Sequence, residues 1–326
     1  MNGKRYTVEA GADLTGADLS GQDLLKADLR GARLVGADLT NVKLNGANLC
    51  DANLEDAILN DADLTGSEMI GVNLSGALLC DANLSHVALD SAHISKANLW
   101  GVKLQDSVMR FANLSGANLS GANLSRTDLS WAVLVGANLS DTNLTGADLY
   151  KANLSDAILT GAVLAGVKLT YANLAGTNLQ EVNLYGVDLS RVNLSRVNLS
   201  GVDLSGQDLN EANLCDAILT GTKLFGANLR GSNLSGTDLR GINLSGVNLS
   251  GANLIGSDLS GAKLIGSNFF RADLSNADLS NADLSESNLA FTVLKGAKLF
   301  HANLNAATLS GANLTGAKMP DGTIYS

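Results

Sequence analysis

Residues 112–126 read ANLSGANLSGANLSR, three copies of a five-residue unit with leucine at the centre of each. The period continues in both directions, because every fifth position from Leu14 to Met319 carries a large apolar side chain. Leu fills 57 of these 62 centre positions, and the others are Met69, Ile94, Met109, Phe269 and Met319. A period of five would wind an apolar stripe around a helix and change faces at every step along a strand. The chain must therefore turn at a fixed short interval, with every fifth side chain directed into a shared interior.

The other positions of the unit have constant chemistry, as in the copy that begins at Ala112. A small residue stands two places before the centre, Asp or Asn stands between them, and Ser or Thr and then often Gly follow. The small residue and the centre share a parity, so both point inward from a short extended segment while the Asp or Asn points outward. Gly permits the positive φ of a sharp corner, and Asx and Ser side chains bond to nearby backbone groups. The pattern predicts a coil of short straight segments joined by tight turns.

This A-(D/N)-L-x-x pattern resembles that of the pentapeptide repeat family, and it covers residues 12–319 without a break. The resemblance implies an all-β fold, a right-handed quadrilateral β-helix (a β-solenoid) with four repeats per coil. The 62 repeats then make about 15.5 coils, roughly 75 Å of rod at about 4.8 Å per coil. We expect one solenoid domain over residues 1–326, with an N-terminal cap at 1–11, a C-terminal cap at 320–326 and centres buried from 14 to 319.

Four residues depart from the unit in ways that carry structural expectations. Gln22 and Gln207 occupy the small inward position, where a buried amide needs hydrogen-bond partners. Near the C-terminus, Ile324 falls on the next centre position after Met319. Pro320 lacks an amide hydrogen, so we expect it to remove a donor from the terminal edge and hinder end-to-end polymerisation.

Composition excludes several classes of protein. The net charge of −10 and the pI of about 4.7 argue against direct nucleic-acid binding, which needs a basic surface. Three Cys are too few for a disulfide scaffold, and no run approaches the 18 or so apolar residues of a membrane span. The N-terminus has no apolar segment typical of a secretory signal, so we expect a cytoplasmic protein.

The sequence also places surface residues, because side chains twenty positions apart stack in columns. We name the faces A, B, C and D after their first centres, Leu14, Leu19, Leu24 and Leu29. With each charge assigned to the nearest centre, face B holds 10 acids and 3 bases, a net of −7, including the column Asp238, Asp258 and Asp278. Face D holds an aromatic and basic column with two neighbours beside it: Phe111, Trp131, Lys151, Tyr171 and Arg191, then Arg110 and Tyr150. A second group on that face consists of Phe270, Arg271 and Phe291.

The face D column has two interpretations of equal weight. Aromatic residues and Arg dominate binding hot spots, so these seven residues are candidates for a partner-binding surface. Alternatively, the column is a ladder of cation–π contacts that only stiffens the solenoid. Weaker binding after removal of Trp131 would favour the first interpretation, and lower stability alone would favour the second.

No catalytic or metal site is expected. Cys80, His86 and His93 are close in sequence but project from different sides of a convex prism, so they diverge. A filled interior and a loop-free exterior offer no cleft that excludes water. We therefore expect a non-enzyme that needs no cofactor or metal.

Two functions remain. The first is a non-catalytic interaction scaffold or regulator that presents flat faces to a protein partner, whose identity the sequence leaves open together with the oligomeric state. The alternative, implied by the family resemblance, is a DNA mimic that modulates DNA gyrase or topoisomerase, as in quinolone resistance. Duplex DNA carries one charge per about 1.7 Å, roughly 44 along 75 Å. Face B nets only −7, so the scaffold is the first choice.

Overall fold

The computed structural model describes residues 6–326 and divides into two compact units, Met1–Lys168 and Leu169–Ser326. Residues 1–5 lie outside the described part, and so does that portion of the cap predicted at 1–11. Within 6–326 no residue is helical. The expectation of one solenoid domain over the whole chain stays a prediction.

Each unit is built from isolated β-bridges rather than from strands of several residues. One residue of nearly every repeat, the outward Asp or Asn position, forms a bridge, and the parallel bridges join residues twenty apart. In the first unit they run from Asp13↔Arg33 to Asp148↔Lys168. In the second they run from Asn173↔Asn193 to Lys298↔Lys318. Four repeats therefore separate bridged residues, and the all-β prediction is confirmed. The number of coils stays a prediction.

Backbone hydrogen bonds connect each segment to the coil before it and the coil after it. The Arg33 amide donates back to the Ala12 carbonyl at 2.9 Å, and the Leu14 amide donates forward to the Arg33 carbonyl at 2.7 Å. Gly11 donates forward to Arg30 at 2.8 Å, as the equivalent residue of later repeats does. Three amides of each five-residue repeat thus serve the ladder between coils and a fourth closes the turn, which leaves one amide for a side chain.

That remaining amide belongs to the residue after the centre, and the Asp or Asn side chain accepts from it. Asn113 Oδ1 accepts from the Ser115 amide at 3.1 Å and from its hydroxyl at 2.6 Å. Ala117 donates to the Leu114 carbonyl at 3.0 Å, which closes a four-residue turn. The third residue of that turn, Gly116, has φ of 64°, as a type II turn requires. We call this third residue, two places after the centre, the corner position.

The interior consists of the centre and small side chains. All centres from 14 to 319 are buried except Leu24, Leu304, Leu309 and Met319, which are half-buried. These four lie in the first or last coil, where a neighbouring coil covers one side only. Where Ser or Thr replaces the small residue, its hydroxyl in most repeats donates to a backbone carbonyl, as Ser107 Oγ does to Leu84 at 2.7 Å. The buried hydroxyl of Ser67 is an exception, with no hydrogen-bond partner. The predicted core is thus confirmed away from the two ends.

The two inward glutamines behave differently. Gln22 is exposed, so the expectation of a buried amide is wrong there, because the first coil leaves its inward position uncovered. Gln207 is half-buried, and its Nε2 donates to the Leu184 carbonyl at 3.2 Å. Of the two glutamines, Gln207 alone therefore needs the hydrogen bond that we expected for both.

The expectation that Pro320 removes a donor from the terminal edge is also wrong, and its effect on end-to-end polymerisation stays a prediction. Proline occupies the position after the centre, whose amide in most repeats bonds to the Asx side chain two residues earlier and not to the ladder between coils. Residue 318 is a lysine, which has no acceptor to offer, so Pro320 removes an amide that would lack this partner. The amides that would donate to a further coil are those of the centre and corner positions. The last residues of the chain accept hydrogen bonds from two of these amides.

A hairpin closes the second unit. The chain reverses after Met319, whose amide donates to the Thr323 carbonyl at 2.8 Å, and Gly316 donates to Tyr325 at 2.7 Å. Ile324 pairs antiparallel with Lys318 and is 65% exposed. It is therefore not a buried centre, because the chain has left the coil before reaching that position.

Candidate protein-binding surface

The aromatic column lies along a corner, and its placement on face D needs correction. Phe111, Trp131 and Lys151 in the first unit, and Tyr171 and Arg191 in the second, are all corner residues with positive φ. Such residues form the edge that joins face D to the next face A, because the chain turns at the two residues after each centre. A side chain on an edge projects further into solvent than one on a flat face.

In the first unit four side chains form a continuous surface, which we call the corner patch: Phe111, Trp131, Tyr150 and Lys151. The Phe111 and Trp131 rings stack with centroids 6.1 Å apart and planes inclined by 23°. Tyr150 meets Trp131 edge-on at 6.2 Å. Lys151 Nζ lies 4.2 Å from the Trp131 centroid and 5.4 Å from that of Tyr150. The structure thus brings these four predicted residues together, and Phe111 and Trp131 remain 59% and 45% exposed.

Arg110 borders the corner patch but is held by the chain's own carboxylates. Its Nε lies 2.7 Å from Asp90 Oδ1 and 3.9 Å from Asp128 Oδ2. The hydrogen bond to Asp90 raises the pKa of the guanidinium. Arg110 is therefore a rim residue whose charge is already paired.

In the second unit the predicted pair forms its own contact. The Arg191 guanidinium lies 5.6 Å from the Tyr171 ring centroid, and its Nε lies 3.0 Å from Glu211 Oε2. The hydrogen bond to Glu211 raises the pKa of Arg191. Tyr171 is 46% exposed, so this pair also presents an aromatic surface to solvent.

The backbone under these aromatics is strained. Phe111 has φ of 59° and Trp131 has φ of 62°, in the left-handed region that L-residues other than Gly, Asn and Asp seldom adopt. Elsewhere in this corner column Gly supplies the conformation, as at Gly231 and Gly251. Residues held in such conformations cluster at functional sites. Other non-Gly corner residues adopt the same conformation, as Glu211 and His301 do, so the strain alone does not single out these two. Their distinction is that bulky aromatic side chains stand where the unit often has Gly, which the spacing alone could have revealed.

The acidic column of face B is partly neutralised. Arg240 forms a two-point pair with Asp238, with 2.7 Å between Nη2 and Oδ2, and its Nε lies 3.9 Å from Asp258. Lys298 Nζ lies 3.2 Å from Asp278 Oδ2. Each Asp of the column thus has a cation within 4 Å, so the column presents less negative charge than its composition indicates.

Groups for other chemistry are dispersed over the described residues. Within 6–326 no three His, Cys, Asp or Glu side chains form a group that could hold a metal ion. The cysteines Cys50, Cys80 and Cys215 are free and half-buried. Burial raises the pKa of the Cys80 thiol, which disfavours its thiolate. In the same range there is no helix of the length and apolarity needed to cross a membrane.

Comparison with known proteins shows to which protein family this chain belongs. A model of pentapeptide repeats matches eleven overlapping or adjoining segments between residues 12 and 305, the first over 12–49 and the last over 267–305. The chain belongs to the pentapeptide repeat family. Membership of this family implies that the fold is a right-handed β-helix. No curated protein sequence matches the chain.

Solved structures of three family members are similar to the chain. HetL, a protein involved in heterocyst differentiation regulation from the cyanobacterium Nostoc sp. strain PCC 7120, is 31% identical over 84% of this chain and 91% of its own, with a TM-score of 0.28. Rfr23 from the cyanobacterium Cyanothece 51142 is 25% identical over 47% of this chain and 91% of its own, with a TM-score of 0.24. QnrB1, a plasmid-mediated fluoroquinolone resistance protein, is 19% identical over 65% and 84%, with a TM-score of 0.23.

Proposed function

We propose that this protein is a non-catalytic interaction scaffold that binds a protein partner through the corner patch. One observation carries the proposal: Phe111 and Trp131 are large, exposed and mutually stacked, although both occupy a backbone conformation that favours Gly. Binding hot spots are enriched in Trp, Tyr and Arg. A rigid β-helix holds such residues in place, so little conformational entropy is lost when a partner binds.

Magnitudes favour binding over stiffening as the role of the aromatics. Holding an L-residue in the left-handed conformation costs about 1–2 kcal/mol, and Gly avoids this cost. An aromatic pair contributes about 0.5–1.5 kcal/mol, and an exposed cation–π contact about 0.5–1 kcal/mol. At Phe111, whose ring stacks on Trp131, gain and cost nearly cancel, so the aromatic side chain there adds little net stability compared with Gly. Trp131 has two ring contacts and a cation–π contact, which together gain about 1.5–4 kcal/mol and outweigh the backbone cost. An aromatic side chain that adds little stability to the isolated protein is better explained by a contact with a partner.

The relatives agree with a regulatory role of this kind, since HetL is described as involved in regulating differentiation. The DNA-mimic alternative has less support. Because QnrB1 is only 19% identical to this chain, its similarity supports the fold and not the function. The Asp column that would imitate phosphates has cations beside it, at Arg240 and Lys298.

The test is capture of a partner from a lysate of the source cells by the full chain and by two variants. Phe111→Glu with Trp131→Glu places charge in the corner patch while the centres remain unchanged. Trp100→Glu is the matched control, because Trp100 is 50% exposed in the first unit but belongs to face B. We expect a partner that the parent and the control retain and the double variant loses. If the double variant folds and retains every protein that the parent captures, the corner patch is not the binding surface.

A further inference from the structure

A depression on the second unit lies on the same corner column but has a different chemistry. Gly231 and Gly251 occupy two successive corner positions, and the absence of side chains there leaves an open space of about 360 Å³. We call this depression the glycine notch. Its lining residues, besides the two glycines, are Glu211, Arg230, Ser250, Phe270 and Arg271.

The two guanidinium groups of the notch differ from most others in the chain. Arg110, Arg126 and Arg240 each lie 2.7 Å from an Asp carboxylate. Within residues 6–326, by contrast, neither Arg230 nor Arg271 forms an ion pair with Asp or Glu, and both side chains are exposed. The chain thus leaves two cations without a counter-charge at one depression, although its net charge is −10.

The surroundings of the notch keep those cations unneutralised. The residues that line the notch include two guanidinium groups and one carboxylate, that of Glu211. Asp208 and Asp273 lie in the flanking segments of the chain, where each accepts a hydrogen bond from the amide two residues later. Glu211 stands at one end of the notch, but Arg191 Nε holds its carboxylate at 3.0 Å. The lining itself therefore carries a net positive charge. The acidic remainder of the surface is screened beyond about 8 Å at physiological salt.

An aromatic wall completes the site. Phe270 is half-buried and meets Phe291 edge-on, with ring centroids 5.8 Å apart. The Arg271 guanidinium lies 5.1 Å from the Phe270 centroid, which orients one cation over the wall. At Gly251 a Cβ would meet no atom within 4 Å, so a ligand backbone has room to approach the chain closely. The notch thus offers two cationic groups, an apolar wall and an open floor.

We propose that the glycine notch binds an acidic peptide segment of a protein partner. Guanidinium groups match carboxylates in planar, two-point pairs, so Arg230 and Arg271 each take one acidic side chain. The hydrocarbon part of the peptide lies against Phe270. A nucleic acid fits less well, because its dense charge would meet a protein of net charge −10. This site is separate from the corner patch, and the proposal does not depend on Trp131.

The test is fluorescence anisotropy with the full-length protein and a labelled short peptide of alternating glutamate and glycine. The variant is Arg230→Gln with Arg271→Gln. The control, Arg196→Gln with Arg240→Gln, makes the same change in net charge at other exposed positions of the second unit. We expect the notch variant to weaken binding at least about tenfold and the control less than about twofold, since loss of a close charge pair changes affinity by that order. A peptide with glutamine in place of glutamate should not bind.

Several results would overturn the proposal. The first is that the parent protein does not bind the glutamate peptide. The second is that both double variants weaken binding of the peptide equally. The third is that a single-stranded oligonucleotide binds the notch more tightly than the peptide does. Circular dichroism checks that each variant is folded. The glutamate peptide should still bind Phe111→Glu with Trp131→Glu, so failure of the notch and failure of the corner patch can be told apart.

Discussion

The Lys151 ammonium lies 4.2 Å from the centroid of the Trp131 indole, a favourable cation–π contact. The backbone of Trp131, however, is strained, with φ of 62°. The side chain and the backbone of Trp131 therefore contribute to stability with opposite signs. Phe111 repeats the arrangement one coil earlier, with φ of 59° and a ring stacked on Trp131 at 6.1 Å. The two contributions can be separated experimentally by comparing substitutions that differ only in Cβ.

The first prediction concerns Trp131→Gly and Trp131→Ala. Both remove the indole contacts, but only Gly relieves the left-handed backbone, so we expect the Ala variant to be less stable than the Gly variant by about 1 kcal/mol. The Gly variant itself should be less stable than the parent by up to about 3 kcal/mol, because it loses two ring contacts and a cation–π contact but relieves the backbone. Urea unfolding followed by circular dichroism gives both differences. If Ala proves at least as stable as Gly, the backbone at Trp131 is not strained.

The second prediction concerns the core. Leu134 is fully buried in the first unit, whereas Leu24 in the first coil is half-buried. Leu134→Ala leaves a cavity between coils and should cost about 2–5 kcal/mol. Leu24→Ala removes a side chain already in contact with water, so it should cost less than half as much. Equal losses in the free energy of unfolding would show that the coils do not derive their stability from stacking on both sides.

The repeat predicts the interior well, because one physical demand fixes it. A coil that turns every five residues must place one large apolar side chain inside each segment, and a single error in register would expose the rest. Leu134 and its equivalents follow from counting. Gln22 does not, because the same inward position is exposed in an end coil and half-buried at Gln207. Burial there depends on a neighbouring coil, which the repeat itself does not encode.

The surface is predicted less well, because a column of residues does not specify which side chains pair. Counting places Arg110 beside the aromatics but does not reveal that Asp90 holds it at 2.7 Å. Counting also places Arg271 near Phe270, yet Arg230 and the two corner glycines that complete the notch carry no signal in the sequence. Asp and Arg compete for partners in three dimensions, and only side-chain geometry shows which cations are left over.

The third prediction concerns acid. Arg30 forms a two-point pair with Asp28, with 2.7 Å between Nη2 and Oδ2, and its hydrogen bonds lower the pKa of Asp28 to about 2. Because this pKa lies below the ordinary value, the pair contributes to stability above about pH 4, and the contribution is lost as the pH falls through about 2. Arg30→Gln should raise the pKa of Asp28, though not to the ordinary value, since the residue 30 amide still donates to Asp28.

A carboxyl-detected nuclear magnetic resonance titration measures that pKa directly. Asp238 serves as the internal control, because Arg240 holds it in the same arrangement and lowers its pKa independently of Arg30. Added salt should raise the pKa of Asp28 in the parent, since both groups are exposed and their attraction is screened. An unchanged Asp28 titration in Arg30→Gln would mean that the pair does not form in solution.

The fourth prediction follows from the way corner side chains lean toward the next coil. A Cβ added at Gly161 would collide with Asp141 Oδ1, one coil earlier, and would lie 3.2 Å from its Cγ. At Gly166, on another corner with a similar φ of 67°, an added Cβ meets nothing within 4 Å. Gly166→Ala should therefore show only the backbone cost of about 1 kcal/mol, and Gly161→Ala should lose more, because Asp141 must move as well.

A double-mutant cycle isolates the second contribution. Asp141→Ala removes the colliding carboxylate, so Gly161→Ala should cost about 1 kcal/mol less in that background than in the parent, a coupling typical of residues in contact. The control cycle pairs Asp141→Ala with Gly166→Ala and should be additive within about 0.5 kcal/mol. Additivity in both cycles would contradict the packing rule. A coupling confined to the first would show that the Asp141 side chain needs the space that Gly161 leaves one coil later.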